Sequence, residues 1–195
     1  ADSAPPSFDP LDAEATRAHA ARIRELDAEL DDLWLLAGTE VDILADGRLD
    51  LPDAILAELD WVLAALHYDL DQDEERITDR LLAAIRSGVV HCVAHPTARR
   101  LGQRDSVAFD AERVFAACAE HGVLLEINAQ PDRLDLPDTL CRLAQEAGVR
   151  FTIGSDAHRT ADLDLMRHGV DVARRGWLTA ADILNTRSAG ELRQY

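Results

Sequence analysis

Five side chains of types that commonly bind divalent cations lie at or just after the ends of apolar stretches in this sequence. Zn, Mn and Fe ions are commonly bound in proteins by carboxylate and imidazole ligands. The set contains no cysteine, which argues against a thiolate site. The chemistry that this set predicts is therefore the binding of divalent metal ions. The five residues are Glu40, His67, His95, Asp156 and His158.

The apolar stretches that contain these residues predict β-strands. In parallel α/β proteins of the barrel class, functional side chains lie at the carboxyl ends of the strands, so we expect the five to converge on one edge. Asp156 and His158 are two residues apart, and the two-residue period of a strand would direct both to one face. A fourth strand ends with Glu126 and Asn128 instead. The predicted strands cover residues 33–44, 61–67, 89–96, 123–129 and 149–158.

Each ligand also has a structural interpretation when it is taken alone. A histidine that follows an apolar strand, such as His67, is more often a core or surface group than a ligand. Glu40 could be a solvated charge, and His95 could belong to a turn because Pro96 follows it. The coincidence of all five at strand ends favours the metal site. We predict structural roles for the other histidines, which are His19, His91, His121 and His168.

Amphipathic helices are predicted between the strands. Continuously apolar strands that alternate with such helices indicate an α/β fold with a parallel sheet that is buried on both faces. We expect an N-terminal tail and helix in residues 1–34 and one α/β unit in residues 35–195. The predicted helices cover residues 12–31, 51–60, 71–88, 110–122, 137–148 and 161–176.

Composition restricts the class of protein. A chain of 195 residues with a formal net charge of −17 predicts one domain without a generic basic surface for nucleic acid. An enzyme that handles phosphate through bound metal ions remains compatible with that charge, because the ions supply positive charge locally. No apolar run approaches the roughly 20 residues of a membrane span, and the N-terminus lacks the pattern of a secretory signal. The sequence therefore predicts a cytoplasmic protein without a membrane partner.

Four long stretches contain the predicted ligands and their surroundings. They are GTEVDILADGRLDLPDAILAELDWVLAALH, AHPTARRLGQRD, LEINAQPDRLDLPD and FTIGSDAHRTADLDLMRHGVDVARRGWLTAADILNT. Together they resemble the PHP domain, named for polymerase and histidinol phosphatase. More narrowly, they are similar to the C-terminal PHP domain of bacterial family X DNA polymerases. The resemblance runs from about Leu35 to about Thr186.

The resemblance implies a distorted, TIM-like (β/α)7 barrel with a cluster of up to three Mn or Zn ions. Glu40 would be the bridging carboxylate, and His67 and His95 would bind the third metal. Asp156 and His158 would serve the first and second metals, so that Glu40, Asp156 and His158 carry the catalysis. The implied activity is hydrolysis of phosphoesters, as a 3′-to-5′ exonuclease or phosphodiesterase that acts on DNA ends.

Two arginines near the same predicted edge, Arg99 and Arg133, could contact a substrate phosphate. An ordinary surface role for both is an equally open interpretation.

The sequence also departs from the family. The family begins with a strand that ends in an HxH motif, followed by a strand that ends in a TDH-like motif, and no HxH occurs in this chain. We therefore expect a C-terminal segment of a larger PHP-containing protein, with about five parallel strands and impaired activity. Its open sheet edge predicts a homo-oligomer. The alternatives are a degenerate module with a structural or protein-binding role and a phosphomonoesterase similar to histidinol phosphatase.

Overall fold

The computed structural model describes residues 13–193, so the predicted tail before Ala13 lies outside the described residues. No described helix has the length and apolar character that a membrane span requires. Five strands alternate with helices, and two short 3-10 helices lie at Thr160–Leu165 and Leu184–Thr186. The regular elements are α1 (Ala13–Asp27), β1 (Gly38–Asp42), α2 (Asp53–Leu56), β2 (Trp61–Ala65), α3 (Glu74–Arg86), β3 (Cys92–Val93), α4 (Ala111–His121), β4 (Leu124–Asn128), α5 (Asp138–Glu146), β5 (Phe151–Gly154), α6 (Met166–Arg175) and α7 (Ala189–Leu192).

The strands form one parallel sheet in the order β1-β2-β3-β4-β5, which confirms the predicted α/β class. Crossovers between parallel strands are right-handed in nearly all proteins, so an uninterrupted order places the connecting helices on one face. In agreement, α3 packs against α4, α4 against α5 and α5 against α6. A doubly wound sheet would instead reverse its order at a switch point. The observed arrangement is compatible with a TIM-like fold.

The two faces of the sheet are buried differently. Residues such as Val62, Leu125 and Ile153 belong to the main hydrophobic core, which includes buried residues of the helices. Trp61 and Leu63, on the opposite face, belong to a smaller cluster. A cavity of about 830 Å³ on this second face is lined by both of them. Within residues 13–193, the helices that connect the strands cover one face of the sheet, while the other face borders this cavity, which Ile23 of α1 and Leu192 of α7 also line.

Capping residues set the ends of two helices. The Asp110 side chain accepts a hydrogen bond from the backbone N–H of Arg113, and Gly122 ends α4 with a φ of 69°. Glycine adopts this left-handed conformation without steric cost, which explains why the helix stops there. Asp73 caps α3 in the same way as Asp110. The helix predicted at 161–176 is divided, since its first part is a 3-10 helix and α6 begins at Met166.

The strands are shorter than predicted. β1 begins at Gly38, where a Cβ atom would lie 2.5 Å from the Trp61 carbonyl oxygen, so glycine permits the close approach of β1 to β2. β3 comprises two residues, because the chain turns at His95, whose φ is 28°. β5 ends at Gly154, and Asp156 has a φ of 49°. The predicted continuation of β5 to residue 158 is wrong.

A buried arginine holds the loops that follow β1 and β2. Arg80 of α3 is 2% exposed, and its guanidinium donates to the carbonyl oxygens of four residues in those loops. Five donors in a fixed plane suit such a cage, and the bonds compensate for the burial of the charge. The carbonyl oxygens belong to Ile43, Leu44, Tyr68 and Asp69.

We expect the Arg80→Lys variant to unfold at lower temperature than the wild type. Lysine is a point charge with three donors, so some of these buried carbonyl oxygens would lose their partner, at a cost of about 2–4 kcal/mol. Denaturant unfolding measures the difference. The exposed Arg86 of the same helix provides the control, and Arg86→Lys should change stability by less than about 0.5 kcal/mol. Equal stability of the two variants would contradict this role of Arg80.

Candidate metal centre

Three of the five predicted ligands meet at the carboxyl edge of the sheet. Glu40 lies on β1, and His67 and His95 each lie two residues beyond the last residue of β2 and β3. The Nε2 atom of His67 is 3.2 Å from Glu40 Oε1, and the Nε2 atom of His95 is 3.3 Å from the same oxygen. One donor atom from each residue lies within 4.8 Å of the others. The parallel register produces this convergence, since Glu40 pairs with Leu63 and Leu63 with Cys92.

Asp42 fixes the orientation of His67. Its Oδ1 forms a short hydrogen bond with His67 Nδ1, and a carboxylate can only accept, so Nδ1 carries the proton. Nε2 is consequently the nitrogen that faces Glu40. This carboxylate–histidine arrangement is the one that commonly supports imidazole ligands in metal sites.

The electrostatics of the group favour an ionised Glu40. Burial opposes the ionised form of Glu40, but hydrogen bonds from His67 and His95 hold the pKa of Glu40 well below its usual value. Burial likewise opposes the protonation of His67, yet its bonds to Asp42 and Glu40 raise the pKa of His67 to about 9. A divalent cation would replace these protons as the partner of Glu40.

The donor set fits a divalent metal ion. One carboxylate and two imidazoles give three protein ligands, which is the number found in many catalytic zinc sites that keep a position open. The His95 side chain is 1% exposed, and within residues 13–193 its Nδ1 has no hydrogen-bond partner. Glu40 is partly exposed, so a ligand could enter from its side.

Asp156 and His158 do not join the three ligands. Asp156 Oδ2 accepts from Asn128 Nδ2 at 3.0 Å, whereas the His158 side chain is 81% exposed and its Nδ1 bonds with the Asp156 carbonyl oxygen at 2.8 Å. Strand alternation does not direct them to a common face, because β5 has already ended at Gly154. Their predicted roles as ligands remain predictions.

A row of polar groups connects the three ligands with Asp156. The buried Glu126 accepts through Oε2 from the His95 backbone N–H at 2.8 Å and from Asn128 Nδ2 at 3.4 Å. Asn128 in turn reaches Asp156. Burial raises the pKa of Glu126 to about 7. A Cβ atom at residue 154 would collide with Glu126 Oε1, so Gly154 is needed for this packing.

Two aspartates of the site were missed by the sequence analysis. Asp42 could have been found, since it follows Glu40 by two residues on a strand and therefore shares its face. Asp135 is fully buried and accepts through both oxygens from the Thr97 backbone N–H at 3.2 and 3.0 Å. It lies outside the regular elements, and nothing in the sequence pattern marks it.

The two predicted phosphate-contacting arginines differ in their surroundings. The Arg133 side chain is 7% exposed and its Nε is 3.7 Å from Asp156 Oδ2. Within the described residues its Nη1 has no hydrogen-bond partner. Arg99 donates through Nε to the Arg133 carbonyl oxygen at 2.8 Å and through Nη2 to that of Leu134, so it stabilises this turn.

The other histidines lie apart from the three ligands. His91 accepts through Nδ1 from the Val62 backbone N–H at 3.1 Å, and its ring stacks on Trp61. This is the structural role that the sequence predicted for it. His19, His121 and His168 lie on α1, α4 and α6.

The fold and the site define an α/β protein with a candidate metal centre at the carboxyl edge of a parallel sheet. The chain is 38% identical over 185 residues to the DNA polymerase/3'-5' exonuclease PolX of Bacillus subtilis (strain 168), a match that covers 95% of this chain and 32% of that protein. It is 34% identical over 154 residues to a probable phosphatase of Photobacterium profundum, a match that covers 74% of the chain and 60% of that protein. No protein-family model matches the chain.

Another relative is covered over a larger part of its length, and it comes from Thermoanaerobacter sp. (strain X514). The chain is 30% identical over 183 residues to a probable phosphatase of that organism, and the match covers 89% of the chain and 72% of the relative. The chain therefore belongs to the family of these probable phosphatases. It is also homologous to PolX, of which it spans 32%.

We expect the Asp42→Asn variant to bind Zn²⁺ or Mn²⁺ about 10- to 100-fold more weakly than the wild type, as is typical when a group that orients a ligand is lost. An amide holds the imidazole less firmly than a carboxylate and can stabilise the wrong tautomer. Isothermal titration calorimetry measures the affinity. Asp46→Asn, in the exposed turn that follows β1, removes the same charge without contact to His67 and should bind like the wild type. Unchanged binding by Asp42→Asn would contradict the orienting role.

Proposed function

We propose that the chain is a metal-dependent phosphoesterase unit of the PHP type. The observation that carries this proposal is the convergence of Glu40, His67 and His95 on one point at the carboxyl edge of the sheet. The family of probable phosphatases and the homology to an exonuclease-containing polymerase support hydrolysis of a phosphoester. We propose Mn or Zn as the ion, with Fe as an alternative, because two imidazoles and a carboxylate suit these metals.

Glu40, His67 and His95 would hold the ion, and Asp42 would keep the His67 ring in position. When bound, such an ion lowers the pKa of a coordinated water and neutralises phosphate oxygens. Asp156 lies at the far end of the polar row, next to the buried Arg133. From there Arg133 could contact a phosphate oxygen. We propose that Asp156 and His158 contribute to a fuller cluster of up to three ions, and that His158 turns inward to do so.

The substrate that we propose is a phosphodiester at a DNA 3′ end, in line with the PolX relative. The chain spans 32% of that protein. A phosphomonoester is the alternative that the phosphatase relatives suggest. A module with a structural or protein-binding role is the second alternative.

We further propose that the sheet is part of a PHP barrel and that its first strand pairs with another chain. Within residues 13–193, β1 pairs with β2 along one side, and its other side has no strand partner. Such an edge carries backbone donors and acceptors that favour pairing. A homo-oligomer through this edge would satisfy them.

We expect His95→Ala to reduce Mn²⁺-dependent hydrolysis of bis(p-nitrophenyl) phosphate by more than about 100-fold, because the variant removes a ligand rather than a supporting group. The rate of p-nitrophenol release and the metal content of the purified protein are measured together. His168→Ala on α6 is the matched control and should retain both.

Two results would contradict the proposal in different ways. If His95→Ala hydrolyses the substrate as fast as the wild type, the site does not catalyse the reaction. If the wild type binds metal stoichiometrically but hydrolyses neither this diester nor p-nitrophenyl phosphate, the structural alternative is supported.

We expect the protein to sediment as a dimer or larger oligomer. Val41→Pro in the middle of β1 would remove a donor from the ladder, but it would also disturb the pairing with β2, so Thr39→Lys is the better variant. A lysine at this edge should shift the equilibrium toward monomer by placing like charges opposite each other. Sedimentation velocity over a range of concentrations measures this shift. A wild-type protein that sediments as a monomer at all concentrations would contradict the proposed pairing.

A further inference from the structure

A short hairpin follows the metal ligand His95 and carries three arginines. The backbone N–H of Arg100 donates to the Arg104 carbonyl oxygen at 2.9 Å, and the reverse bond is 2.8 Å long. Gly102 forms the tip with a φ of 75°, which a larger residue would rarely adopt. The backbone N–H of Val107 donates to the Thr97 carbonyl oxygen at 2.9 Å and closes the base. We call residues 97–107 the arginine hairpin.

The arginine hairpin is held against the turn at residues 130–134. The buried Asp135 binds the backbone of Thr97 at the base, and Arg99 donates to two carbonyl oxygens of the turn. At the tip, the backbone N–H of Leu101 donates to the Asp132 carbonyl oxygen at 2.6 Å. These bonds tie the hairpin to the carboxyl ends of β3 and β4, the edge on which the three ligands converge.

The guanidinium group of Arg104 is affected by burial and by two other arginines of this region. Burial is the first cause that lowers the pKa of Arg104, and repulsion by Arg133 and Arg100 adds to it. Arg104 uses its Nε to bind the Ala98 carbonyl oxygen at 2.8 Å, so its two terminal nitrogens remain for other partners. Arg100 pairs with Asp132 at 3.2 Å, and both side chains of this pair are substantially exposed.

A groove of about 450 Å³ runs along the arginine hairpin, and it is lined by residues 99–106. Exposed ion pairs such as Arg100–Asp132 contribute little to stability, so a doubly charged anion can compete with Asp132 for Arg100. The chain as a whole has a formal net charge of −17, whereas the arginine hairpin carries three arginines. An anion between them would relieve their mutual repulsion.

We propose that the arginine hairpin is a second phosphate-binding site, with Arg100 and Arg104 as its main donors. Arginine forks match the geometry of phosphate oxygens, and the hairpin holds them in place before a ligand arrives. The ligand class is a compound with a phosphate in addition to the one at the metal centre. Successive phosphates of a nucleic acid strand meet this description, and so does a small molecule with two phosphates.

This inference rests on the proposed phosphoesterase function and defines its substrate further. A monoester with one phosphate would occupy the metal centre alone. A substrate with a second phosphate would contact both the ion and the arginine hairpin, so the hairpin selects between these substrates.

The test uses fluorescence anisotropy with a fluorescein-labelled hexathymidylate in Mn²⁺, together with unlabelled pyrophosphate as competitor. Arg100→Gln and Arg104→Gln should each weaken binding by about tenfold, since each removes a charge-assisted contact. The slope of log affinity against log salt should decrease in magnitude by about one per arginine removed. Arg113→Gln removes the same charge from α4, where Arg113 pairs with Glu75, and should bind like the wild type.

Arg104→Gln also loses the hydrogen bond from Arg104 Nε to the Ala98 carbonyl oxygen, so the melting temperature of this variant is measured. Arg100→Gln is a second variant, and it leaves that hydrogen bond in place. If pyrophosphate displaces the oligonucleotide and its own affinity falls in the same variants, a small molecule with two phosphates is a sufficient ligand. If the oligonucleotide alone depends on the hairpin, the ligand is a strand. Either result supports the second phosphate site.

The proposal is overturned if both hairpin variants bind as Arg113→Gln does, or if the wild type binds neither probe. The His95→Ala variant is studied in parallel, so that failure of the hairpin proposal can be distinguished from failure of the proposed phosphoesterase function. Loss of hydrolysis in His95→Ala tests the metal centre, whereas loss of affinity in Arg100→Gln and Arg104→Gln tests the hairpin.

Discussion

The site depends on the register of three parallel strands. Glu40, His67 and His95 are far apart in the sequence, and the pairing of β1 with β2 and of β2 with β3 brings their donor atoms within 4.8 Å. A shift of one residue in either pair would displace the histidine that follows the strand by about 3.3 Å along the edge and would turn the side chains of the shifted strand to the opposite face. The apolar residues on the helix-covered face resist such a shift, so the hydrophobic core also determines the geometry of the ligands.

Buried polar contacts position the loops that follow β1, β2 and β3, which the hydrogen bonds of the sheet do not hold. Arg80 fixes the segments after β1 and β2, while Asp135 fixes the segment after β3 through the Thr97 backbone. Asp42 then orients the His67 ring, and Glu126 holds the backbone N–H of His95. Each of these groups is costly to bury alone and is compensated by its bonds. Rigid supports of this kind are what a metal centre needs to hold its ligands in place.

The sequence predicted the alternating fold and three converging ligands, because apolar strands and polar strand ends are local patterns. The expectation that strand alternation places Asp156 and His158 on one face is wrong, because β5 ends at Gly154 and the backbone of Asp156 is left-handed. Their roles as ligands remain predictions. Arg80 and Asp135 could not be predicted, since their partners are backbone atoms of residues distant in sequence. For Arg99, a phosphate contact and an ordinary surface role were both open, and the sequence could not show that its guanidinium donates to backbone carbonyl oxygens of the neighbouring turn.

We propose that two imidazoles and one carboxylate of this chain bind one divalent ion together. X-ray absorption at the zinc edge, on protein loaded with one equivalent of Zn²⁺, identifies the donor atoms. We expect two imidazole nitrogens at about 2.0–2.1 Å with oxygen as the remaining donor, and one imidazole fewer in His67→Ala. A spectrum with sulfur donors, or with oxygen donors alone, would contradict it.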